Sequence, residues 1–284
     1  MSDSKPTLYV VATPIGNLED LSLRALRLLK EVDVIACEDT RQTQKLLNHY
    51  AIATRTISYH EHNEAERSAE LVQQMQQGAS VALVTDAGMP GISDPGYRLI
   101  SLAIEQGLPV VPVPGASAFL AALVASGLPT DSFRFNGFLP AKRGERRVAL
   151  EAMKSSTQTQ VCYEAPHRIV ETLTDIVEVM GAARHVVVAR EITKLHEEFL
   201  RGRAVDVLEN LQAREAVKGE ITLLIAKAEE DQPSGAAAVR VSMRDRVQQI
   251  MAEEKIDEKS ALKRVAKERG VSKSEAYREL QRGK

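Results

Sequence analysis

The segment from Asp86 to Gly96, DAGMPGISDPG, has the composition of a ligand-binding loop. It contains three glycines and two prolines in eleven residues and directly follows the apolar run Ser80–Thr85. Glycines let the backbone approach a ligand closely, and prolines hold the shape of a loop. Asp86 and Asp94 add two carboxylates. We therefore interpret this segment as a ligand loop rather than a long connecting turn in which Asp94 only caps a helix.

Three further loops follow apolar runs. ATPIGNLED, from Ala12 to Asp20, has a tight turn after the first predicted strand, but the chain contains no G-x-G-x-x-G fingerprint. VPGASA, from Val113 to Ala118, opens a helix at Ser117, where backbone N–H groups can receive an anion or the serine can simply cap the helix. YEAPHR, from Tyr163 to Arg168, carries His167, and a single histidine in a turn is more often an ordinary turn residue than a catalytic one.

Apolar strands alternate with helices in the first half of the chain. This order predicts βα units and a mostly parallel sheet, in which ligands bind beyond the carboxyl ends of the strands. The predicted strands are Thr7–Thr13, Asp33–Cys37, Arg55–Tyr59, Ser80–Thr85 and Pro109–Val113, and the predicted helices include Leu21–Val32, Glu64–Gln77 and Ser117–Ser126.

The aromatic, turn-rich segment Thr130–Pro140 indicates a boundary between two α/β domains. After it we predict helices at Gly144–Lys154 and Ile169–Met180 and strands at Gln160–Glu164, at His185–Arg190, around Phe199 and at Glu220–Ala226, in a more mixed order. The predicted domains are an N-terminal α/β domain (1–128), a second α/β domain (129–228), a linker (229–238) and a helical tail (239–284).

The tail is basic. From Ala237 onward it holds 13 Lys and Arg against 8 Asp and Glu, so it carries +5 while the rest of the chain carries −7. A helix that stops at Gly270, with Ser272 and Glu275 as a capping box for the next one, predicts a helix-turn-helix. We favour contact with nucleic acid through Lys263, Arg264, Lys267, Lys273 and Arg278 over a dimerisation or lid element.

Composition narrows the class of protein further. The two cysteines, Cys37 and Cys162, lie in apolar runs and are expected to be buried and reduced, which fits the cytoplasm. The segment Met1–Pro6 is short and polar, unlike a secretory signal, and no apolar run is long enough to span a bilayer. We therefore expect no membrane partner. The sequence also has no His, Cys or carboxylate cluster with metal-ligand spacing, so we expect no metal site.

Four segments in this order resemble the tetrapyrrole methylase superfamily, and within it the ribosomal small subunit methyltransferase I group. They are ATPIGNLEDLS, EDTR at Glu38–Arg41, DAGMPGISDPG, and REITKLHEE at Arg190–Glu198. The resemblance covers residues 7–227 and implies two α/β domains with an S-adenosylmethionine cleft between them. It also implies methylation of a cytidine ribose 2′-hydroxyl in small-subunit ribosomal RNA, a C-terminal helix-turn-helix and a homodimer.

The resemblance also implies where the cofactor binds. Its expected contacts are Pro14 in the first turn, Asp86, Gly88 and Met89 in the glycine-rich loop, Ser117 and Ala118 at the helix start, Tyr163 or its neighbour Cys162, and Ile221 and Thr222 within the final-strand segment 220–222.

A ribose hydroxyl is weakly acidic, so a general base would assist its methylation. Candidates for this base are Glu38, Asp39, His60, His62 and Glu191 with Lys194, although positioning alone could suffice. Arg41, Arg190 and Lys194 are candidate phosphate contacts.

Two alternatives remain at this point. One is a tetrapyrrole C-methyltransferase. The basic tail and the ATPIGN turn, which replaces the G-x-G-P-G turn of the superfamily, disfavour this alternative. The other is a non-catalytic RNA-binding protein on a methylase body, which the intact ligand loops disfavour.

Overall fold

The computed structural model describes residues 6–228, 243–254, 256–268 and 276–278. The chain divides into two compact units, Met1–Ala228 and Glu229–Lys284. The first unit holds two five-stranded sheets.

The first sheet is entirely parallel, with the order β3-β2-β4-β1-β5. Its strands are β1 (Leu8–Val11), β2 (Val34–Cys37), β3 (Thr56–Ser58), β4 (Val81–Leu83) and β5 (Val110–Val113), and the helices between and after them are α1 (Leu23–Glu31), α2 (Thr40–His49), α3 (Glu64–Gln76), α4 (Tyr97–Glu105) and α5 (Ala118–Ser126). Neighbouring residues of β1 point into different cores, since Val10 packs in one apolar cluster and Val11 in another. Helices therefore cover both faces, which explains the continuous apolar runs of these strands.

The second sheet is mixed, with the order β6-β7-β10-β8-β9 and a parallel pairing only between β6 and β7. Its strands are β6 (Phe133–Phe138), β7 (Thr159–Glu164), β8 (His185–Arg190), β9 (Glu198–Arg203) and β10 (Ile221–Ile225), and its helices are α6 (Arg143–Met153), α7 (Ile169–Met180) and α8 (Ala204–Gln212). Helix α5 connects the two halves, because Ala122 and Leu123 pack in one apolar cluster with Val161, Val187 and Leu224 of this second sheet.

Strand β6 was missed by the sequence analysis, which interpreted its segment as turn-rich. The Asn136–Gly137 pair is a strong turn signal. Here Gly137 takes a positive φ of 65° and the register shifts between Phe135 and Phe138, so the chain makes a bulge and continues as an edge strand. Helices α2 and α8 were also missed. Only Thr43, Leu46 and Leu47 of α2 are buried, which leaves little apolar periodicity to detect.

The second unit contains α9 (Met243–Glu254), α10 (Glu258–Glu268) and a helical turn at residues 276–278. Its apolar core joins all three elements through Val247, Ile250, Leu262, Val265 and Ala276. Lys263, Arg264 and Arg278 are exposed, and Lys267 lies on α10. The predicted linker 229–238, the helix stop at Gly270, the cap at Ser272 and the candidate contact Lys273 lie outside the described residues.

None of the described helices combines the length and apolar character that a membrane crossing requires.

Candidate functional site

A cavity of about 410 Å³ lies between the two sheets. The first sheet contributes the loops at the carboxyl ends of β1, β4 and β5, and the second contributes β7, β10, Phe138 of β6 and the segments after β7 and β8. The lining residues are Ile15, Ala87, Gly88, Met89, Ile92, Ser93, Asp94, Ser117, Ala118, Phe119, Phe138, Tyr163, Glu164, Ala165, Pro166, Ile192, Glu220, Ile221 and Thr222.

The turn after β1 is fixed to the glycine-rich loop by backbone pairing. Thr13 N donates to Gly88 O at 2.9 Å, and Gly88 N donates to Thr13 O at 3.1 Å. The Thr13 hydroxyl also donates to Thr85 O at 3.0 Å. Gly88 has a φ of +86°, a conformation that favours glycine. These hydrogen bonds fix the loop to the turn after β1, and Gly88 lies in the cavity wall.

The N-terminus of α5 opens on the cavity, because Ser117, Ala118 and Phe119 all line it. The Ser117 side chain makes no capping hydrogen bond, so of the two roles predicted for this serine the capping one is absent. Gly115 brings the turn close to β1, since a Cβ there would lie 2.8 Å from the Ala12 Cβ. The first-turn N–H groups of α5 can therefore receive an anionic group of a ligand.

An aromatic and aliphatic wall faces this helix. The Tyr163 ring centroid lies 5.0 Å from that of Phe135 and 5.6 Å from that of Phe138. Burial raises the pKa of the Tyr163 hydroxyl above its usual value, so the group stays neutral. On β10, Thr222 pairs with Tyr163 and Ile221 with Glu164. This wall offers an apolar surface, with an aromatic ring at Tyr163, to a planar ligand.

Three carboxylates lie near one edge of the cavity. Burial, followed by repulsion from Glu38 and Asp86, raises the pKa of Asp94 to about 6. Burial and then Asp86 likewise raise the pKa of Glu38. Asp86 Oδ1 accepts a hydrogen bond from Asp39 N at 3.1 Å. No salt bridge joins these three carboxylates to a basic side chain of the described residues. This edge of the cavity therefore attracts a cation.

The loop after β8 fastens the second sheet to the first turn. Lys194 Nζ lies 2.9 Å from Glu191 Oε1 and 3.2 Å from Glu220 Oε2. The Lys194 stem fills the space beside Gly16, where a Cβ would overlap it, and Glu191 fills the same kind of space beside Gly219. The Thr193 hydroxyl donates to Asp20 Oδ2 at 2.6 Å. Ile192, between these anchors, is thereby held in the cavity wall.

Known proteins share this architecture and much of this sequence. Residues 7–208 match the family model of the Tetrapyrrole (Corrin/Porphyrin) Methylases. The Ribosomal RNA small subunit methyltransferase I of Halalkalibacterium halodurans is 50% identical over 277 residues, covering 97% of this chain and 94% of the relative. The chain belongs to the ribosomal RNA small subunit methyltransferase I family. Family members from Mesorhizobium japonicum (45% identity, 97% and 92% coverage) and Pseudomonas aeruginosa (44% identity, 98% of both chains) agree with this assignment.

Solved structures show the same fold in more distant proteins. A diphthine synthase superimposes with a TM-score of 0.63 at 18% identity, covering 79% of this chain and 91% of that one. Uroporphyrin-III C-methyltransferase of Thermus thermophilus, complexed with S-adenyl homocysteine, gives 0.54 at 20% identity, covering 77% and 96%. The predicted family and the predicted fold class are therefore confirmed.

The structure brings most of the predicted cofactor contacts together. Seven of them line the cavity: Gly88, Met89, Ser117, Ala118, Tyr163, Ile221 and Thr222. Pro14 and Asp86 lie just outside, next to the lining residues Ile15 and Ala87. Cys162, the alternative to Tyr163, is fully buried in the apolar core. Phe138 and Ile192 were not predicted as lining residues, and Asp94 was predicted only as a carboxylate of the loop.

The predicted general bases do not line the cavity. Asp39 caps α2, and its hydrogen bonds with Arg41 lower the pKa of its carboxyl, which makes it a weaker base. Glu191 is tied to Lys194, and that hydrogen bond lowers its pKa as well. His60 Nε2 lies 3.3 Å from Asn63 Nδ2, and the His60 and His62 rings are 5.9 Å apart. Glu38 alone among the carboxylates combines a raised pKa with a position near Asp94.

The three predicted phosphate contacts differ in how strongly other residues of the chain hold their side chains. Arg41 is exposed and paired with Asp39 at 3.1 Å. Arg190 Nε donates to Glu198 Oε2 at 3.0 Å, and another of its nitrogens donates to Lys218 O. Lys194 is held by Glu191 and Glu220. Of the three, Arg41 has the side chain freest to reach an external phosphate.

Within the ranges described above, no group of three or more His, Cys, Asp or Glu side chains is arranged to hold a metal ion.

Proposed function

We propose that this chain transfers the methyl group of S-adenosylmethionine to the ribose 2′-hydroxyl of a cytidine in small-subunit ribosomal RNA, in the cytoplasm. The observation that carries the proposal is the cavity between the sheets, in a chain that is 50% identical over 97% of its length to a Ribosomal RNA small subunit methyltransferase I.

The cavity residues fit S-adenosylmethionine, which is a planar adenosine joined to a sulfonium amino acid. The cavity volume of about 410 Å³ is in the range of small-molecule sites. The wall of Tyr163 and Ile221 suits the adenine, and the N-terminus of α5 suits the carboxylate. Asp94 presents a negative charge to the cationic part of the ligand. The bound cofactor supplies an activated methyl group.

The protein then contributes position and a proton acceptor. The loops of the first sheet hold one side of the cavity and the second sheet closes the other, so the acceptor hydroxyl approaches from the open edge. Of the predicted bases we retain Glu38, because its raised pKa makes it the strongest base among the carboxylates proposed. His60 is the second choice, since its ring Nδ1 is buried without a hydrogen-bond partner in the described part of the chain.

For RNA we propose contacts at Arg41 and along the tail, at Lys263, Arg264, Lys267, Lys273 and Arg278. The residues 229–238 would act as the linker that tethers the tail (239–284) to the two α/β domains (1–128 and 129–228). A homodimer, which the family resemblance implies, is also proposed, and light scattering tests it.

The decisive experiment is transfer of tritiated methyl groups into small ribosomal subunits, and separately into their free RNA, from cells that lack the protein. We expect label in a 2′-O-methylcytidine after nuclease digestion. Label in a porphyrin precursor, with none in RNA, would contradict the proposal.

A further inference from the structure

A second cavity of about 800 Å³ adjoins the first and shares Ser93 and Asp94 with it. Glu61 in the turn after β3 and Glu64 at the start of α3 line one side of it, and Tyr97 and Arg98 at the start of α4 line another. The turn belongs to the segment SYHEHNE, for which no role beyond a general base has emerged. Because Ser93 and Asp94 line both cavities, this groove leads directly to the edge of the first cavity, in which we have placed the cofactor (the cofactor cavity).

Tyr97 and Arg98 are free to meet a ligand. The Tyr97 side chain is 77% exposed. In the described parts of the chain its ring contacts no other ring, and the Arg98 guanidinium makes neither a salt bridge nor a hydrogen bond. The backbone N of Arg98, by contrast, donates to Glu64 Oε1 at 3.3 Å. The Tyr97 ring and the Arg98 guanidinium therefore lie side by side at the rim of the groove, without those interactions with the described residues.

These two side chains project from a rigid base. Leu99, the next residue, is fully buried, and its backbone N donates to the Tyr59 hydroxyl at 3.2 Å. The same hydroxyl lies 3.1 Å from Ser68 Oγ of α3. Gly96 precedes α4 with a φ of +148°, and a Cβ there would press on Gly91 and Leu83 at 3.1 Å. The groove wall is therefore preformed, which lowers the entropic cost of binding.

The charge of the groove selects which part of a nucleotide can enter. Glu61, Glu64 and Asp94 line its interior, so a phosphate placed inside would meet repulsion. A neutral nucleoside would not, and the exocyclic amino group of cytosine is a donor that pairs with carboxylates. The phosphate would instead lie at the rim, near Arg98. Aromatic stacking of an unpaired base is the usual mode of single-stranded RNA recognition.

We propose that this groove is the subsite for the acceptor nucleotide, with its base stacked on Tyr97, its phosphate on Arg98 and its ribose at the shared wall beside Asp94. The inference rests on the proposed function, since it needs an RNA acceptor. It assigns Tyr97 and Arg98 to substrate binding and leaves the cofactor cavity unchanged.

The test compares Tyr97→Ala with Tyr97→Phe, which keeps the ring. Tyr97→Ala should raise the KM for small-subunit RNA, and the Kd measured by filter binding without cofactor, by about 5- to 100-fold. Tyr97→Phe should stay within about twofold of the wild type, because stacking needs the ring and not the hydroxyl. Calorimetry should give the same Kd for S-adenosylmethionine in all three proteins.

Arg98→Ala should weaken RNA binding and lower the salt slope by about 0.7, the value for one phosphate on a single strand. The matched control is Arg24→Ala, which removes an exposed arginine of α1 that lies outside both cavities. Its slope should equal that of the wild type.

The inference is overturned if Tyr97→Ala binds and methylates RNA as the wild type does, or if Tyr97→Phe loses as much as Tyr97→Ala. A loss of cofactor affinity equal to the loss of RNA affinity would also overturn it. If the wild type itself transfers no methyl group to RNA, the proposed function fails, and that result is distinct from a wild type that is active and insensitive to Tyr97.

Discussion

Asp94 places a carboxylate in the cavity between the two sheets, where we propose that the cofactor binds, and no hydrogen bond or salt bridge from the described residues engages it. A charge-assisted contact to a ligand cation contributes about 1.5–3 kcal/mol. Asp94→Asn keeps the shape and removes the charge, so we expect it to weaken S-adenosylmethionine binding roughly 10- to 100-fold by calorimetry. Asp131→Asn, at an exposed position outside the cavity, is the control and should bind normally.

The pH dependence of cofactor binding should follow the same side chain. The pKa of Asp94 is raised to about 6, so its carboxylate is charged at pH 7.5 and becomes neutral as the pH falls through 6. A bound cation favours the charged form. Affinity should therefore be constant above about pH 7 and should decrease below 6 in the wild type. Asp94→Asn should lack this decrease, and an identical pH profile in both proteins would contradict the assignment.

Gly88 and Gly91 allow a matched test of the glycine-rich loop. Their φ values are +86° and +81°, so alanine or valine at either position should cost a similar stability, about 1–2 kcal/mol or more in urea unfolding. Only Gly88 lines the cofactor cavity. Substitution by Ala and then Val should progressively reduce cofactor affinity at Gly88 and leave it unchanged at Gly91. Equal effects on affinity at both positions would mean that the loop acts only through stability.

Among single residues, those with a local sequence signal could be predicted as cavity residues. Gly88 and Met89 belong to a recognisable loop, and Ser117 opens a predicted helix. Ile192 has no such signal, because it lines the cavity only through the anchors on either side of it. The pairing of Glu191 with Lys194 could not be read from spacing either, since both residue types also suit catalysis and phosphate binding. Their geometry favours a structural role over the predicted ones.

Among the secondary-structure elements, the loop between β8 and β9 joins the second sheet to the turn after β1. Gly16→Ala should destabilise the protein, because its Cβ would overlap the Lys194 stem and its φ of +149° disfavours a side chain. In a Lys194→Ala background the overlap is gone, so the same substitution should cost less. Urea unfolding of the four proteins gives this coupling, which we expect to be about 1–3 kcal/mol. Additive effects would contradict the contact.

Elements with strong periodicity were predicted from the sequence, and those shaped by their neighbours were not. Helix α7 and strand β8 lie within the predicted limits, since each has a regular apolar pattern. Strand β6 depends on a bulge at Gly137 and on pairing with β7. The local sequence at that glycine predicts a turn. Pairing with β7 is what keeps the segment extended as an edge strand with a bulge.

For the molecule as a whole, deleting the tail removes no residue of the cavity lining, because every lining residue precedes Lys227. Deleting residues 229–284 should leave cofactor affinity intact, weaken RNA binding and make its salt dependence shallower. Charge reversal at Lys263 and Arg264 should act in the same direction but more weakly. If the tail is instead a dimer clamp, truncation will halve the mass in solution and leave the salt slope unchanged.

The order of strands in the second sheet has a consequence for synthesis on the ribosome. Among the strands of the described residues, β10 is synthesised last, yet it lies in the middle of its sheet, between β7 and β8, and it contributes Ile221 and Thr222 to the cavity. Until it emerges, β7 and β8 each present an unpaired edge. A chain that ends before β10 therefore lacks two residues of the cavity lining, and its unpaired β7 and β8 edges can be bound by chaperones or cleaved by proteases. The second sheet therefore becomes continuous only after β10 has left the exit tunnel and paired with β7 and β8.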